Sequence, residues 1–196
     1  EHCGVKLDKT ALSQLAEKLN IELIKTQEDI HRLAGIDFNI SSPKQLGEVL
    51  FDRLKIIPDA KKTKSKQYST SEETLLKLEN KHEIISEVLQ FRSLKKLLST
   101  YVEALPKLIS EKTGKLHTSF NQTVVATGRL SSINPNLQNI PIREERGREV
   151  RKAFVPSGDD FTFVSADYSQ VELRLMAHLS EDENLITAFR NNEDIH

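Results

Sequence analysis

The chain has 196 residues, of which 37% are hydrophobic and 29% charged, and its formal net charge is −1. This length can bury a core and predicts two structural units, while the near-zero charge excludes a globally basic surface, so nucleic acid would have to bind local patches. The sequence has no apolar run of membrane-spanning length and no visible signal peptide, and its one cysteine excludes an internal disulfide and suits a reducing cytoplasm.

The first part of the chain predicts helices. Apolar residues at helical spacing indicate a helix over Lys9–Asn20, with Asp8 or Thr10 as its N-cap, and a second, short helix over 27–33. A third helix begins at Ser42-Pro43, because serine is a good cap and proline is tolerated in a first turn. The buried face of this third helix is predicted to be Leu46, Val49, Leu50 and Leu54.

The longest helical pattern follows Thr70-x-x-Glu73, which predicts a short capped helix of its own. Apolar residues then recur at spacings of three, four and seven. These positions are Ile84, Val88, Phe91, Leu98, Val102 and Leu105. Two such helices packed antiparallel, with the helix over 46–54 beneath them, form a stalk.

The one dense basic run, Lys61-Lys62-Thr63-Lys64-Ser65-Lys66, lies between these helices. It contains no apolar residue and follows Pro58, so we predict a mobile loop at the far end of the stalk. A charge run is most often a solvated surface, and phosphate binding is the alternative. Composition alone leaves both interpretations open.

Short strands replace helices after about residue 116. Leu116–Phe120 and Val124–Thr127 predict a hairpin, and Leu130–Ile142, rich in Ser, Asn and Pro, predicts an ordered loop. Asn and Gln in this loop can donate hydrogen bonds to the minor-groove acceptors that every base pair carries. Local turn hydrogen bonds are the competing interpretation for the asparagines.

Candidate chemistry concentrates in residues 161–174. Phe161–Val164 is aromatic and β-branched and predicts a strand, while apolar residues every four positions from Val171 predict a helix. Asp167 then lies at the junction, where a carboxylate can bind a hard cation such as Mg²⁺. A helix cap is the competing role for Asp167, and Ser169-x-x-Glu172 fits a capping box. Spacing alone does not decide between these roles.

Four strings in one order resemble the family A DNA polymerases, of the bacterial DNA polymerase I type. Ser165-Ala166-Asp167-Tyr168-Ser169-Gln170-Val171-Glu172-Leu173-Arg174 is similar to the first palm motif of that family. Thr127-Gly128-Arg129-Leu130-Ser131-Ser132 and Pro135-Asn136-Leu137-Gln138-Asn139-Ile140-Pro141-Ile142-Arg143 resemble motifs upstream of it, and Asp194-Ile195-His196 resembles the next landmark. The resemblance is strong from about residue 118 to the end and weaker over about 37–111.

The resemblance implies an α+β, helix-rich fold, in which a helical thumb stalk is followed by part of the antiparallel-sheet palm of a right-hand polymerase. It divides the chain into an N-terminal helical lead-in to the polymerase domain over 1–40 and a thumb over 41–115. A partial palm, with the first metal-binding motif and the start of the fingers connection, occupies 116–196. A cytoplasmic monomer without membrane association is implied as well.

Family A enzymes extend a DNA primer on a template with deoxynucleoside triphosphates, in replication and repair, by a two-metal displacement at the α-phosphate. By resemblance, Asp167 bridges two Mg²⁺ ions, and the backbone carbonyl of Tyr168 binds the ion that carries the triphosphate. The implied nucleotide-binding residues are Ser169, Gln170, Glu172 and His196. The implied DNA contacts are Arg129, Asn136, Gln138, Asn139, Arg143 and the thumb-tip lysines Lys61, Lys62, Lys64 and Lys66.

Two alternative functions were weighed against this one. Single-subunit RNA polymerases share the palm, but they place a small residue at the position of Glu172 and differ at Tyr168-Ser169-Gln170. A non-catalytic DNA-binding module that has kept a palm stays open, because only sequence beyond the palm motif distinguishes it. The chain begins and stops in mid-pattern, so we expect a fragment without the fingers and the second palm carboxylate. Such a fragment is predicted to be inactive and to bind Mg²⁺ weakly or not at all.

Overall fold

The computed structural model of the protein describes residues 1–58, 60, 62–63, 66–142 and 145–195. They form two compact units, Glu1–Asp159 and Asp160–His196, and the fold is α+β and helix-rich, as predicted. The first unit contains, in order, β1 (Lys6–Leu7), α1 (Lys9–Ala34), α2 (Pro43–Gly47), a π-helical segment (Glu48–Arg53), α3 (Glu72–Leu76), a 3₁₀ turn (Glu79–Lys81), α4 (Glu83–Leu97), a second π-helical segment (Leu98–Val102), a 3₁₀ turn (Leu105–Leu108), β2 (Ser119–Asn121), β3 (Ser131–Ile133), α5 (Glu145–Lys152) and β4 (Phe154–Val155). The second unit contains α6 (Val171–Ser180) and α7 (Glu183–Arg190). In the described part of the chain, none of the helices has the length and apolarity needed to cross a membrane.

Helix α1 is one continuous helix of 26 residues, so the prediction of two separate helices is wrong. Asp8 caps it, its carboxylate accepting a hydrogen bond from the backbone N–H of Ala11 at 3.0 Å. The buried stripe continues through Thr26, which is only 3% exposed. Because Thr26 is polar, a prediction from apolar spacing could not include it. The helix ends at Gly35, whose left-handed conformation (φ 67°) lets its N–H reach the carbonyls of the last turn.

Two buried clusters show that α1 and α4 run antiparallel. The first half of α1 packs with the end of α4 and the segments after it, in a cluster that includes Leu12, Leu15, Leu19, Leu94, Leu97, Tyr101, Leu105 and Leu116. The second half of α1 packs with the start of α4 and with α2, in a cluster that includes Ile30, Ala34, Leu46, Leu50, Leu75, Ile84, Val88 and Phe91. All six positions predicted as the buried stripe of the long helix are buried, which confirms the stripe. The antiparallel partner of α4 is α1, from the segment predicted as a lead-in, and not a second helix of the stripe region.

The predicted caps of the stalk helices are partly right. Ser42 caps α2, since its hydroxyl accepts a hydrogen bond from Gln45 N at 3.4 Å. The short helix α3 is capped by Ser71, whose hydroxyl accepts from Thr74 N at 3.3 Å, and not by Thr70 as predicted. Thr70 is buried instead, and its backbone and side-chain oxygens accept hydrogen bonds from Arg92 on α4.

The two small sheets pair residues that are distant in sequence. Strand β2 pairs antiparallel with β3, so that Phe120 lies opposite Ser132, and β1 pairs antiparallel with β4. The predicted strand over 124–127 is wrong: these residues form a turn, and Val124 is 67% exposed. β3 lies inside the predicted loop, where buried Ser132 is within 2.8 Å of the hydroxyl of Thr118.

The second unit confirms the helix after Asp167 but not the strand before it. Residues 161–168 form no ladder with any described residue, and Phe161, Phe163 and Val164 are largely exposed. A strand needs a partner for its backbone N–H and C=O groups, and local composition cannot provide one. The apolar face predicted for α6 is exposed too, and Ala177 is the one residue of this helix that is buried.

Candidate functional site

The central carboxylate of the site, Asp167, is exposed in the irregular segment before α6. Its neighbour Tyr168 is also exposed, at 82%. Among the described residues, no three His, Cys, Asp or Glu side chains lie close enough together to hold a metal ion. A cation on Asp167 therefore needs further oxygen ligands, which phosphates, water and backbone carbonyls can supply.

Helix α6 begins without the predicted capping box. Its N-cap is Gln170, in the left-handed conformation with φ 49°, and the Gln170 side chain makes no capping hydrogen bond. The carbonyl of Ser169 accepts instead from Arg174 Nε at 2.9 Å. Glu172 lies exposed on the first turn, where the helix dipole favours a negative charge. Ser169 is therefore not the N-cap that the predicted capping box requires.

Gln170 joins the palm motif to the predicted landmark downstream. Its side-chain Nε2 donates to Asp194 Oδ1 at 2.8 Å, while its Oε1 is buried with no hydrogen-bond partner. The guanidinium of Arg174 lies 4.6 Å from the ring centroid of Phe189, a cation–π contact that fastens α6 to α7. The hydrogen bond between Gln170 and Asp194 is not predictable from sequence, because nothing in the spacing of the two residues indicates it.

Two predicted DNA contacts in the loop after β3, Asn136 and Gln138, make hydrogen bonds to nearby residues of the same chain. Gln138 donates from Nε2 to the carbonyl of Leu130 at 3.1 Å and accepts at Oε1 from Ser132 N at 3.0 Å. Asn136 Oδ1 accepts from Gln138 N at 3.0 Å, which is the local turn bond that competed with DNA binding in the sequence. Arg129 is exposed just before β3.

A cleft of about 480 Å³ lies between this loop and the end of α4. Lys96, Thr100, Asn136 and Asn139 are among the residues that line it. The hydroxyl of Tyr101 donates to the backbone carbonyl of Asn139 and fixes the loop on the helix. The sequence indicated only that Lys96 lies off the buried stripe, so its position beside Asn139 is new from the structure.

The remaining predicted site residues divide into two groups. Lys62 and Lys66 are exposed in the basic loop at the end of the stalk. Four predicted site residues lie outside the described residues: Lys61, Lys64, Arg143 and His196.

Comparison with known proteins matches DNA polymerase family A over residues 9–196. DNA polymerase I of Geobacillus stearothermophilus is 55% identical over 196 residues, and that of Bacillus subtilis is 53% identical over 196 residues. Each of these alignments covers 100% of this chain and 22% of the relative. A solved structure, the POL domain of Pol1 from M. smegmatis in complex with DNA primer-template and dNTP, matches with a TM-score of 0.86 and 43% identity, covering 98% of this chain and 34% of that chain.

The helix-rich α+β fold and the order of the motifs fit a fragment of an α+β polymerase domain. The chain belongs to DNA polymerase family A. It spans 22% of the length of the curated relatives named above.

Proposed function

We propose that this chain is the thumb and the first part of the palm of a DNA-directed DNA polymerase. The thumb is assigned to residues 41–115 and the partial palm to residues 116–196, after a helical lead-in over 1–40. The observation that carries the proposal is an exposed aspartate, Asp167, at the turn before α6, inside a motif string that the family match covers from end to end. The whole polymerase would extend a primer 3′ end on a DNA template, in replication and repair.

Family A polymerases are generally metal-dependent enzymes, and the donors at this motif suit a hard cation. A carboxylate and a backbone carbonyl, both oxygen ligands, are what Mg²⁺ prefers. We assign the carboxylate of Asp167 and the carbonyl of Tyr168 to two Mg²⁺ ions in the complete enzyme. When bound, such ions activate the attacking oxygen and stabilise the leaving pyrophosphate.

The incoming nucleotide is assigned to the first turn of α6, which follows the metal ligands in sequence. Glu172 on the first turn would lie against the sugar, while Ser169 and Gln170 shape the turn between metal and nucleotide. The hydrogen bond from Gln170 to Asp194 supports this assignment, because it ties that turn to the segment that leads to His196. His196 is assigned to the triphosphate.

Primer-template DNA is the proposed partner of the thumb and of the loop after β3. The basic loop, with Lys61, Lys62, Lys64 and Lys66, would contact phosphates without reading sequence, as an enzyme that copies any template requires. The minor-groove side is assigned to Arg129, Asn136, Gln138, Asn139 and Arg143. The M. smegmatis relative, solved with DNA primer-template and dNTP, supports primer-template DNA as the partner. The proposed cellular setting is a monomer in the cytoplasm, away from membranes.

The test is an Asp167→Asn substitution in the complete polymerase, which removes one charge and keeps the size of the side chain. We expect single-nucleotide incorporation to fall by about a thousandfold or more, since a metal-held transition state loses several kcal/mol of stabilisation. Duplex binding should be unchanged. Asp160→Asn is the matched control, because Asp160 is also exposed at the start of the same unit, and it should keep full activity.

Incorporation within tenfold of the parent by the Asp167→Asn enzyme would contradict the proposal. Duplex binding without incorporation by the parent itself would favour the alternative, a non-catalytic DNA-binding module.

A further inference from the structure

The described part of the basic loop is a closed turn rather than an open strand. Lys62 forms an isolated antiparallel bridge with Tyr68. Inside that bridge, Thr63 N donates to the carbonyl of Gln67 at 2.7 Å, and Lys66 N donates to the carbonyl of Thr63 at 2.9 Å. Lys66 has a left-handed backbone (φ 58°), which turns the chain back on itself. The loop therefore closes on Tyr68.

Tyr68 is fastened to the π-helical segment by two contacts, and Gly47 at the end of α2 makes room for it. Its hydroxyl donates a hydrogen bond to Asp52 Oδ1. Its ring lies 4.9 Å from the ring of buried Phe51, tilted by 46°. Gly47 lets the tyrosine come this close, because a Cβ at that position would stand only 3.0 Å from Tyr68 Cβ.

The same ring also holds one of the lysines. Lys62 Nζ lies 4.7 Å from the ring centroid, within the range of a cation–π contact. One aromatic side chain thus connects the helical stalk, the base of the loop and a phosphate-binding candidate. We call Tyr68 and Asp52 together the clasp.

We propose that Tyr68 is a positioning residue for DNA: the clasp holds the base of the loop so that Lys62 and Lys66 meet the phosphate backbone of duplex DNA together. The inference rests on the proposed function, in which this loop contacts phosphates. A lysine presented from a fixed turn loses less conformational freedom on binding than one on a free chain, so the clasp raises affinity by preorganisation. Tyr68 itself need not touch the DNA.

The experiment measures duplex affinity of the 196-residue chain by fluorescence anisotropy between 50 and 200 mM salt. Four variants are compared with the parent: Tyr68→Phe, Tyr68→Leu, the double Lys62→Ala/Lys66→Ala, and the double combined with Tyr68→Leu. Lys77→Ala is the matched control, because it removes an exposed lysine just after α3, where Lys77 pairs with Glu73 at 2.6 Å. Thermal unfolding of each variant confirms that it is folded.

The double lysine variant should lower the slope of log affinity against log salt by about 1.8, that is about 0.9 for each lost phosphate contact. The parent then loses about twelvefold more affinity than the double variant over this fourfold rise in salt. Tyr68→Leu should lose more than half of the same slope, and Tyr68→Phe, which keeps the ring, should lose less. Adding Tyr68→Leu to the double variant should change nothing further, and Lys77→Ala should keep the parental slope.

Two failures are distinguishable. A parental slope in both Tyr68 variants, together with a reduced slope in the double lysine variant, would overturn the clasp and leave the phosphate contacts in place. A parental slope in the double lysine variant would overturn the phosphate contact itself. Equal losses from Tyr68→Leu in the presence and absence of the lysines would mean that Tyr68 acts on the fold alone, which also overturns the clasp.

Discussion

Arg92 holds the start of α3 against α4, and its removal should destabilise the stalk measurably. The guanidinium is half-buried; Nη1 donates to the backbone carbonyl of Thr70, and Nη2 donates to the Thr70 hydroxyl at 3.3 Å. Burial lowers the pKa of Arg92, and nearby Glu72 acts in the opposite direction. The substitution Arg92→Met keeps the aliphatic stem and removes the two hydrogen bonds.

The magnitude follows from what the substitution leaves behind. Thr70 is 6% exposed, so its carbonyl loses its charged donor where water cannot easily replace it. An unsatisfied buried carbonyl costs about 1–3 kcal/mol. Removing a partly desolvated guanidinium returns some of that cost. We therefore expect a net loss of about 2 kcal/mol, which corresponds to a fall in melting temperature of roughly 4–8 °C for a chain of this size.

Far-UV circular dichroism of the 196-residue chain, with thermal and urea unfolding, measures this loss. Arg148→Met is the matched control: Arg148 is exposed on α5, and its substitution should stay within about 0.5 kcal/mol of the parent. If Arg92→Met melted at the same temperature as Arg148→Met, the two hydrogen bonds to Thr70 would not be holding α3 in place.

Three other predictions concern sugar choice, metal and pH. In the complete enzyme, Glu172→Ala should raise ribonucleotide incorporation by orders of magnitude while deoxynucleotide incorporation falls much less, because a pocket excludes an added hydroxyl only with a rigid wall; a proportional loss of both in primer-extension assays would assign Glu172 a structural role. In the 196-residue chain without nucleotide, Asp167 should bind Mg²⁺ only at millimolar concentration or above, since phosphates normally complete such sites. A dissociation constant below this range in calorimetry would contradict the prediction. The hydrogen bond to Asp52 is the larger cause, and burial the smaller, of a raised pKa for Tyr68. The neutral Tyr68 hydroxyl therefore stabilises the folded chain fully below the unfolded pKa of about 10, and this stabilisation is lost as pH rises through the folded pKa. Urea midpoints of the parent and Tyr68→Phe should therefore converge above about pH 10, and a constant gap would refute the assignment.

Helices were predictable from sequence where regularly spaced apolar residues pack into the hydrophobic core. The six stripe positions of the long helical pattern are all buried, because spacing on a helix depends only on local sequence. The predicted interruption of α1 is absent, and the helix continues through Thr26, a polar residue that tertiary packing buries. Caps were displaced by one residue where neighbouring hydroxyls compete, as with Thr70 and Ser71.

Strands were harder to predict because pairing is not local. Phe161–Val164 has strong strand composition yet forms no ladder with the described residues, whereas the polar strand β3 is held by pairing with β2 and by buried Ser132. For the site, the motif string supplied the candidate residues, whose roles stay predictions, while side-chain contacts such as Gln170 with Asp194 and Tyr68 with Asp52 required the structure. Both contacts join segments whose separation along the chain carries no periodic signal.

The central claim is that this chain supplies the thumb and the metal-binding palm motif of a working DNA polymerase. The most direct test replaces the aligned segment of the Geobacillus stearothermophilus DNA polymerase I with this chain, which is 55% identical to it over 196 residues. Primer extension by the purified chimera is then compared with extension by the same chimera carrying Asp167→Asn. We predict extension by the chimera within about tenfold of the host enzyme and loss of at least about a thousandfold with Asp167→Asn. A folded chimera that binds primer-template but does not extend it, or one that extends equally well with Asp167→Asn, would contradict the account.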